Sequence, residues 1–161
     1  MLRLTTLILL TGLSTAQAAQ GWITKVEDDV FSDKKSATML GFTPSGDSVY
    51  IECDGDHELE FAVLSKSEDK SPGVPGILVV KIDGGEALRF TAASYAHNDE
   101  YVGFKNEDQE QIRSLVKAIG QANKAALFGL QIPIVDIKAS LNPGVKGSSK
   151  AASQFLEACT D

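Results

Sequence analysis

Chemistry-bearing residues are scarce in this chain: among 161 residues there are two cysteines, two histidines and one tryptophan. Cys53 and Cys159 lie more than a hundred positions apart, which excludes a CxxC redox pair and the paired spacing of a zinc site. His57 and His97 lie in no metal-ligand spacing. No serine sits in a GxSxG elbow, and no glycine-rich stretch carries the rest of a nucleotide loop. Beyond the first eighteen residues no apolar run approaches the ~20 residues of a membrane-spanning helix. The longest, Ala125 to Val135, is interrupted by Gln131 and Pro133.

The opening segment is the exception. Arg3 supplies a positive start, Leu4 to Leu13 a short apolar core, and Ala16-Gln17-Ala18 a small-residue exit. Those three parts make a cleavable secretory signal over residues 1–18, with cleavage after Ala18 and Ala19 as the alternative site. Residues 19–161 are then expected to form one exported domain, periplasmic or extracellular, with no transmembrane anchor. That length suits a single core. The formal charge of -7 becomes one unit more negative once Arg3 is removed, and a net negative domain repels phosphate backbones, which argues against nucleic acid. An oxidising destination favours one disulfide, Cys53–Cys159.

The first half of the domain reads as strands. Val49, Ile51 and Cys53 alternate with Ser48, Tyr50 and Glu52, the period of a half-buried strand. Similar runs cover Ser36 to Phe42, Glu58 to Leu64, Ile77 to Ile82 and Glu86 to Ala92, the last two flanking Asp83-Gly84-Gly85 as a hairpin turn. Ser94 to His97 pairs with Tyr101 to Phe104, and Ser65 to Gly76 is a polar loop. A helix is expected from Asn106, with Asn106 as cap and Gln109 completing a capping box, and Gly120 as its stop. Ala125 to Leu130 and Ile134 to Leu141 look extended, and a short terminal helix capped by Ser148 or Ser149 leads into Cys159. These elements predict a mainly β, antiparallel sandwich-like domain with two short peripheral helices.

No catalytic set emerges. Adjacent carboxylates such as Asp28-Asp29 and Glu107-Asp108 do not create a glycosidase pair; the second suits the positive end of a helix. His57 follows Asp54 and Asp56, and His97 precedes Asn98, Asp99 and Glu100. If the fold joined those turns, a histidine–carboxylate site would form; otherwise both are solvated turns. Trp22 is either an exposed anchor or the pin of a first strand, and Tyr95 and Tyr101, like Tyr50, belong either to a binding face or to packing. Trp22, His57, His97, Tyr95 and Tyr101 are therefore the candidate binding residues, with no metal or cofactor implied.

An early tryptophan (Trp22), a strand cysteine (Cys53) and the closing Ala151-Ala152-Ser153-Gln154-Phe155-Leu156-Glu157-Ala158-Cys159 resemble the invasion-associated locus B family of small exported bacterial proteins. A similar pattern occurs in accessory proteins of type VI secretion. The resemblance covers the two ends and the general plan. It implies a β-rich periplasmic or surface-associated module with no catalytic set to carry over. The function expected is a noncatalytic binding or envelope-associated module for a protein or glycan, with a small hydrolase or small-ligand protein built from distant turns as the alternative. A binding module of this kind calls for an apolar exposed patch with satisfied polar groups at its rim.

Overall fold

The computed structural model describes residues 20–28 and 34–159; the expected signal segment lies outside them. Nine strands form one antiparallel sheet in the order β1-β2-β3-β4-β7-β6-β5-β8-β9. They are β1 (Gly21–Asp28), β2 (Lys35–Phe42), β3 (Ser48–Cys53), β4 (Leu59–Lys66), β5 (Pro75–Ile82), β6 (Leu88–Ala96), β7 (Tyr101–Asn106), β8 (Ala126–Ile132) and β9 (Ile137–Leu141). Two helices follow late in the chain, α1 (Gln109–Gln121) between β7 and β8 and α2 (Ser148–Ala158) after β9.

The domain is mainly β as expected, but it is not a sandwich. A single sheet curls into a half-barrel, and the two helices supply the layer a second sheet would have given. Ile112, Leu115, Val116 and Ile119 of α1 and Ala151, Ala152 and Phe155 of α2 are buried in the same core as Met39, Ile51, Phe61, Leu78 and Phe128. Each helix buries one face in that core and leaves the other exposed. Their crossovers follow from the strand order: β7 and β8 are separated by β6 and β5, so α1 must cross the concave face to join them.

Alternation delivers the core. Val49, Ile51 and Cys53 of β3 lie opposite Val63, Phe61 and Leu59 of β4, and all six are buried. The Asp83-Gly84 turn has both residues at positive φ, 50° and 78°, and Gly85 N–H donates to the Ile82 carbonyl at 2.8 Å. Both central residues of a tight hairpin turn of this hand need positive φ, which explains the local sequence. The Asp83 carboxylate also accepts from the N–H groups of Asn123, Lys124 and Ala125 at 2.7–2.9 Å, tying that turn to the end of α1.

Several local expectations are corrected. β6 runs unbroken from Leu88 to Ala96, so the extended segments on either side of Ala93 are one strand. Asp108, not Asn106, caps α1 by accepting from Gln111 N–H at 3.0 Å. Asn106 instead accepts from Asp108 N–H and donates to the Thr91 carbonyl. Gln109 closes no capping box: its side chain bonds both backbone groups of Leu59, at 2.7 and 3.0 Å, and fastens α1 to β4. Gly120 does not stop α1, which continues to Gln121; a Cβ there would meet that of Ala152 at 2.8 Å, so the glycine sets how closely α1 and α2 pack. Neither Ser148 nor Ser149 caps α2. Gly147 holds that position at φ 81°, and Ser149 Oγ donates to the Gly120 carbonyl at 2.7 Å. Pro133–Val135 is a 3-10 turn in place of the start of a strand, and β9 begins only at Ile137.

Three ties hold the C-terminal segment to the sheet. Cys53 and Cys159 form a disulfide with Cα atoms 6.1 Å apart. Trp22 is buried at 4% exposure against Phe128, its N–H groups donating to Gly144 and Lys146 carbonyls at 2.9 Å. Thr24 Oγ1 donates to the Ala151 carbonyl at 2.7 Å. Because the cross-link closes a loop of 106 residues, replacing both cysteines by alanine is expected to cost about 5 kcal/mol. Urea unfolding followed by Trp22 fluorescence checks this, and an unchanged midpoint would show that the noncovalent ties alone hold α2.

Candidate functional site

Two surfaces gather polar and aromatic side chains, and they lie on opposite faces of the sheet. On the convex face, the register places Tyr50, Ala62 and Lys105 side by side on β3, β4 and β7. The adjoining row is Ser48, Leu64, Gly103 and Tyr95. Gly103 has no side chain, so Tyr95 lies across β7: a Cβ at position 103 would fall 2.3 Å from its ring and 2.8 Å from Leu64. That close approach is why a glycine occupies the middle of a strand. His97 follows Tyr95 onto the same side, its ring edge-on to Tyr50 at 4.9 Å and its Nδ1 3.2 Å from the Tyr95 hydroxyl.

The polar atoms of this cluster satisfy one another. Tyr50 donates to Glu52 at 2.7 Å, and Lys105 bridges Glu60 at 2.9 Å and Glu107 at 2.7 Å while standing 5.2 Å over the Tyr95 ring. Burial, then the hydrogen bond and charge of Glu52, push the Tyr50 hydroxyl well above the usual tyrosine range. Burial, then the charge of Glu60, do the same to Tyr95. Ala62 and Leu64 are buried despite facing outward, so these rings form a small second layer over the back of the sheet.

The second surface is a groove of about 600 Å³ on the concave side. Val102 and Phe104 of β7 and Ser94 of β6 make its floor, the 67–75 loop one wall, and Ile132, Ile134, Val135 and Ile137 the other. Ile134, Val135 and Ile137 are 77%, 57% and 49% exposed: the 3-10 turn begun by Pro133 lifts Ile134 and Val135 out of the sheet, and Ile137 opens the edge strand β9. The opposite wall is fixed. Ser94 Oγ donates to the Ser71 carbonyl at 2.6 Å and accepts from Val74 N–H at 2.9 Å, while Gly73 N–H donates to the Ser94 carbonyl at 2.8 Å. Gly76 leaves room for the Phe104 ring, which a Cβ would meet at 2.6 Å.

Asp69 is the one charged residue lining the groove. Its Oδ1 accepts from the Ser71 hydroxyl at 2.7 Å and the Ser71 N–H at 3.0 Å, which hold its carboxyl below the usual carboxylate range. Its Oδ2 has no partner among the described residues.

Of the residues singled out in the sequence, Tyr95 and His97 come together in the convex layer. Tyr101 is half-buried on that face opposite Lys66, whose ammonium stands 5.6 Å from its ring. His57 sits at φ 62° in the turn before β4, whereas His97 lies in the turn beside the far end of β4. Eight residues of strand keep the two turns on the order of 20 Å apart, so the histidine–carboxylate convergence does not form. Trp22 is packing, not surface. Among the described residues no group of three or more His, Cys, Asp or Glu is placed to hold a metal ion, and no helix is long and apolar enough to cross a membrane.

The groove was not legible beforehand. Its lining comes from a polar loop and from an apolar run that reads as an ordinary strand; only Pro133 ahead of Ile134 and Val135 hints that those side chains protrude. Comparison with known family models, curated proteins and solved structures yields no match.

The convex layer makes a pH prediction. Tyr50 and Tyr95 resist ionisation in the folded chain but ionise near ~10 when unfolded. Their stabilising contribution is full below that value and is lost as pH rises above it, because the unfolded state releases protons first. Urea unfolding across this range should show a declining stability whose slope is shallower in a Tyr50→Phe, Tyr95→Phe double variant; equal slopes would contradict the burial of these hydroxyls.

Proposed function

We propose that the protein is a noncatalytic, exported binding module of the periplasm or the cell exterior, and that the concave groove is its working surface. The observation that carries this is the exposure of three apolar wall residues, Ile134, Val135 and Ile137, beside a loop already fixed by Ser94. Large exposed aliphatic side chains gathered at one concavity mark an interaction site, and a preformed wall lowers the entropy lost on binding. Support for export comes from the segment Met1 to Ala18 and from the Cys53–Cys159 disulfide. The resemblance of Trp22, Cys53 and the 151–159 segment to the invasion-associated locus B family accords with an envelope-associated role and names no partner.

The hydrolase alternative draws no support from the geometry. Neither His57 nor His97 lines the groove, and its single carboxylate has no second titratable group in the lining to work with. The convex cluster brings tyrosine, histidine and carboxylates together, but it lies on the outward-curving face of the sheet, over Ala62 and Leu64.

The test pairs a groove readout with a partner readout. An Ile134→Asp, Val135→Asp variant should weaken binding of the uncharged apolar dye Nile red by at least ~10-fold, since each change puts a carboxylate against the apolar wall. Its unfolding free energy should stay within about 0.5 kcal/mol of the parent, because both sites are exposed. Envelope extract passed over the two proteins should leave a component on the parent that the variant does not retain. Undiminished dye binding, or identical retention by both proteins, would contradict the groove as the working surface.

A further inference from the structure

We propose that the groove takes one acyl chain of an envelope lipid, laid over Val102 and Phe104 with its polar head group left in water. This rests on the reading of the groove as the working surface and names the class of ligand it fits.

Hydrogen bonding decides the class. The wall formed by residues 67–75, with Ser94 behind it, satisfies its own polar groups. Ser67 Oγ donates to the Asp69 carbonyl at 3.1 Å, Ser71 Oγ to the Asp69 carboxylate at 2.7 Å and Ser94 Oγ to the Ser71 carbonyl at 2.6 Å. These are the hydroxyls of the lining, and each has committed its proton within the wall. The backbone is committed in the same way. Ser67 N–H donates to the Glu100 carbonyl, Asp69 N–H to Ser67 Oγ and Ser71 N–H to the Asp69 carboxylate. Gly73 N–H donates to the Ser94 carbonyl and Val74 N–H to Ser94 Oγ, while Pro72 and Pro75 have no N–H to give. Val102 and Phe104 have their backbone inside the sheet, between β4 and β6. The lining N–H groups outside these bonds and the strand ladders belong to Ile134 and Val135, both on the exposed turn.

An extended peptide carries an N–H and a C=O at nearly every residue, and a sugar ring carries hydroxyls around its rim. Buried in this groove, those groups would lose water and meet no new partner, which opposes binding. A methylene chain has no such group. The side chains it would meet, Val74, Val102, Phe104, Ile132, Val135 and Ile137, are aliphatic or aromatic. Charge agrees, because no cation lines the groove and its single carboxylate belongs to an exposed residue, Asp69, that keeps its water. Size agrees as well. Taking a methylene as about the volume of a water, ~30 Å³, a groove of about 600 Å³ has room for one chain of up to roughly 20 carbons. A groove, unlike a closed cavity, also lets the head group stay in solvent.

The test uses the mature, oxidised chain and uncharged probes: 1-alkanols of six to twelve carbons, and N-pentylhexanamide, which is as long as 1-undecanol but has an amide at its centre. Displacement of Nile red reads affinity. Each added methylene is expected to tighten binding roughly threefold, and bound alkanol should shift the backbone amide resonances of Val102 and Phe104. N-pentylhexanamide should bind at least ~10-fold more weakly than 1-undecanol, because its amide finds no partner. Affinity independent of chain length, equal affinity for the amide and the undecanol, or unmoved resonances at Val102 and Phe104 would overturn the proposal. The levels of failure separate. An envelope component retained by the parent and lost by the Ile134→Asp, Val135→Asp variant, with no chain-length dependence among the alkanols, refutes the acyl chain alone. Failure of Nile red, alkanols and envelope extract together refutes the groove itself.

Discussion

A single curled sheet has one inner face to bury and no second sheet to bury it against. Here α1 and α2 take that role, and the remaining architecture follows from how they are held there. Gln109 bonds α1 to Leu59, the Gly120–Ala152 approach sets the helix pair, the disulfide and Thr24 fix α2 to β3 and β1, and Trp22 holds the segment leading into α2. Arg113 adds a bond from α1 to the Cys159 carbonyl at 3.2 Å. Each tie is modest, and buried apolar area supplies most of the driving force. Their shared effect is positional, because an unanchored helix could leave the concave face without breaking any strand pairing.

Two helices cannot cover the inside of nine strands evenly. α1 packs on β4, and α2 on β1 and β2. The inner faces of β7, β8 and β9 near Val102, Phe104, Ile132 and Ile137 border the groove instead. The uncovered stretch is thus a direct consequence of the topology. Ser94 keeps it open by committing its hydroxyl and backbone to the 67–75 loop, which otherwise carries backbone groups without sheet partners. The back of the sheet meets the opposite problem, too much apolar surface facing water at Ala62 and Leu64, and Tyr95 lying across Gly103 resolves it.

The strands were readable wherever alternation was strict. Ser48–Cys53 has the predicted bounds, and the Asp83-Gly84 turn and the Cys53–Cys159 link stand as expected, because turn conformation and redox setting are local or compositional facts. The sandwich was misread for a physical reason: period two shows that a strand has an inner face but not whether a sheet or a helix covers it. The cap of α1 moved from Asn106 to Asp108 because β7 continues through Asn106 and Gln109 is taken by Leu59. Gly103 carried a usable signal, a glycine within a strand, that marks where Tyr95 and His97 converge. Nothing local marked Asp69 and Ile134 as lining one groove, since that depends on β5 standing between β6 and β8.

The central claim is that one interior is sealed by tied helices while β9 and the groove beside it remain open. Native-state amide hydrogen exchange resolved along the oxidised chain tests it most directly. The account predicts slow exchange, near the limit set by global unfolding, for Val49 to Cys53, Leu59 to Val63 and Ile112 to Ile119, together with rapid exchange of the outward-facing amides between Ile137 and Ser140. Protection of those β9 amides equal to that of β3 and β4 would contradict it.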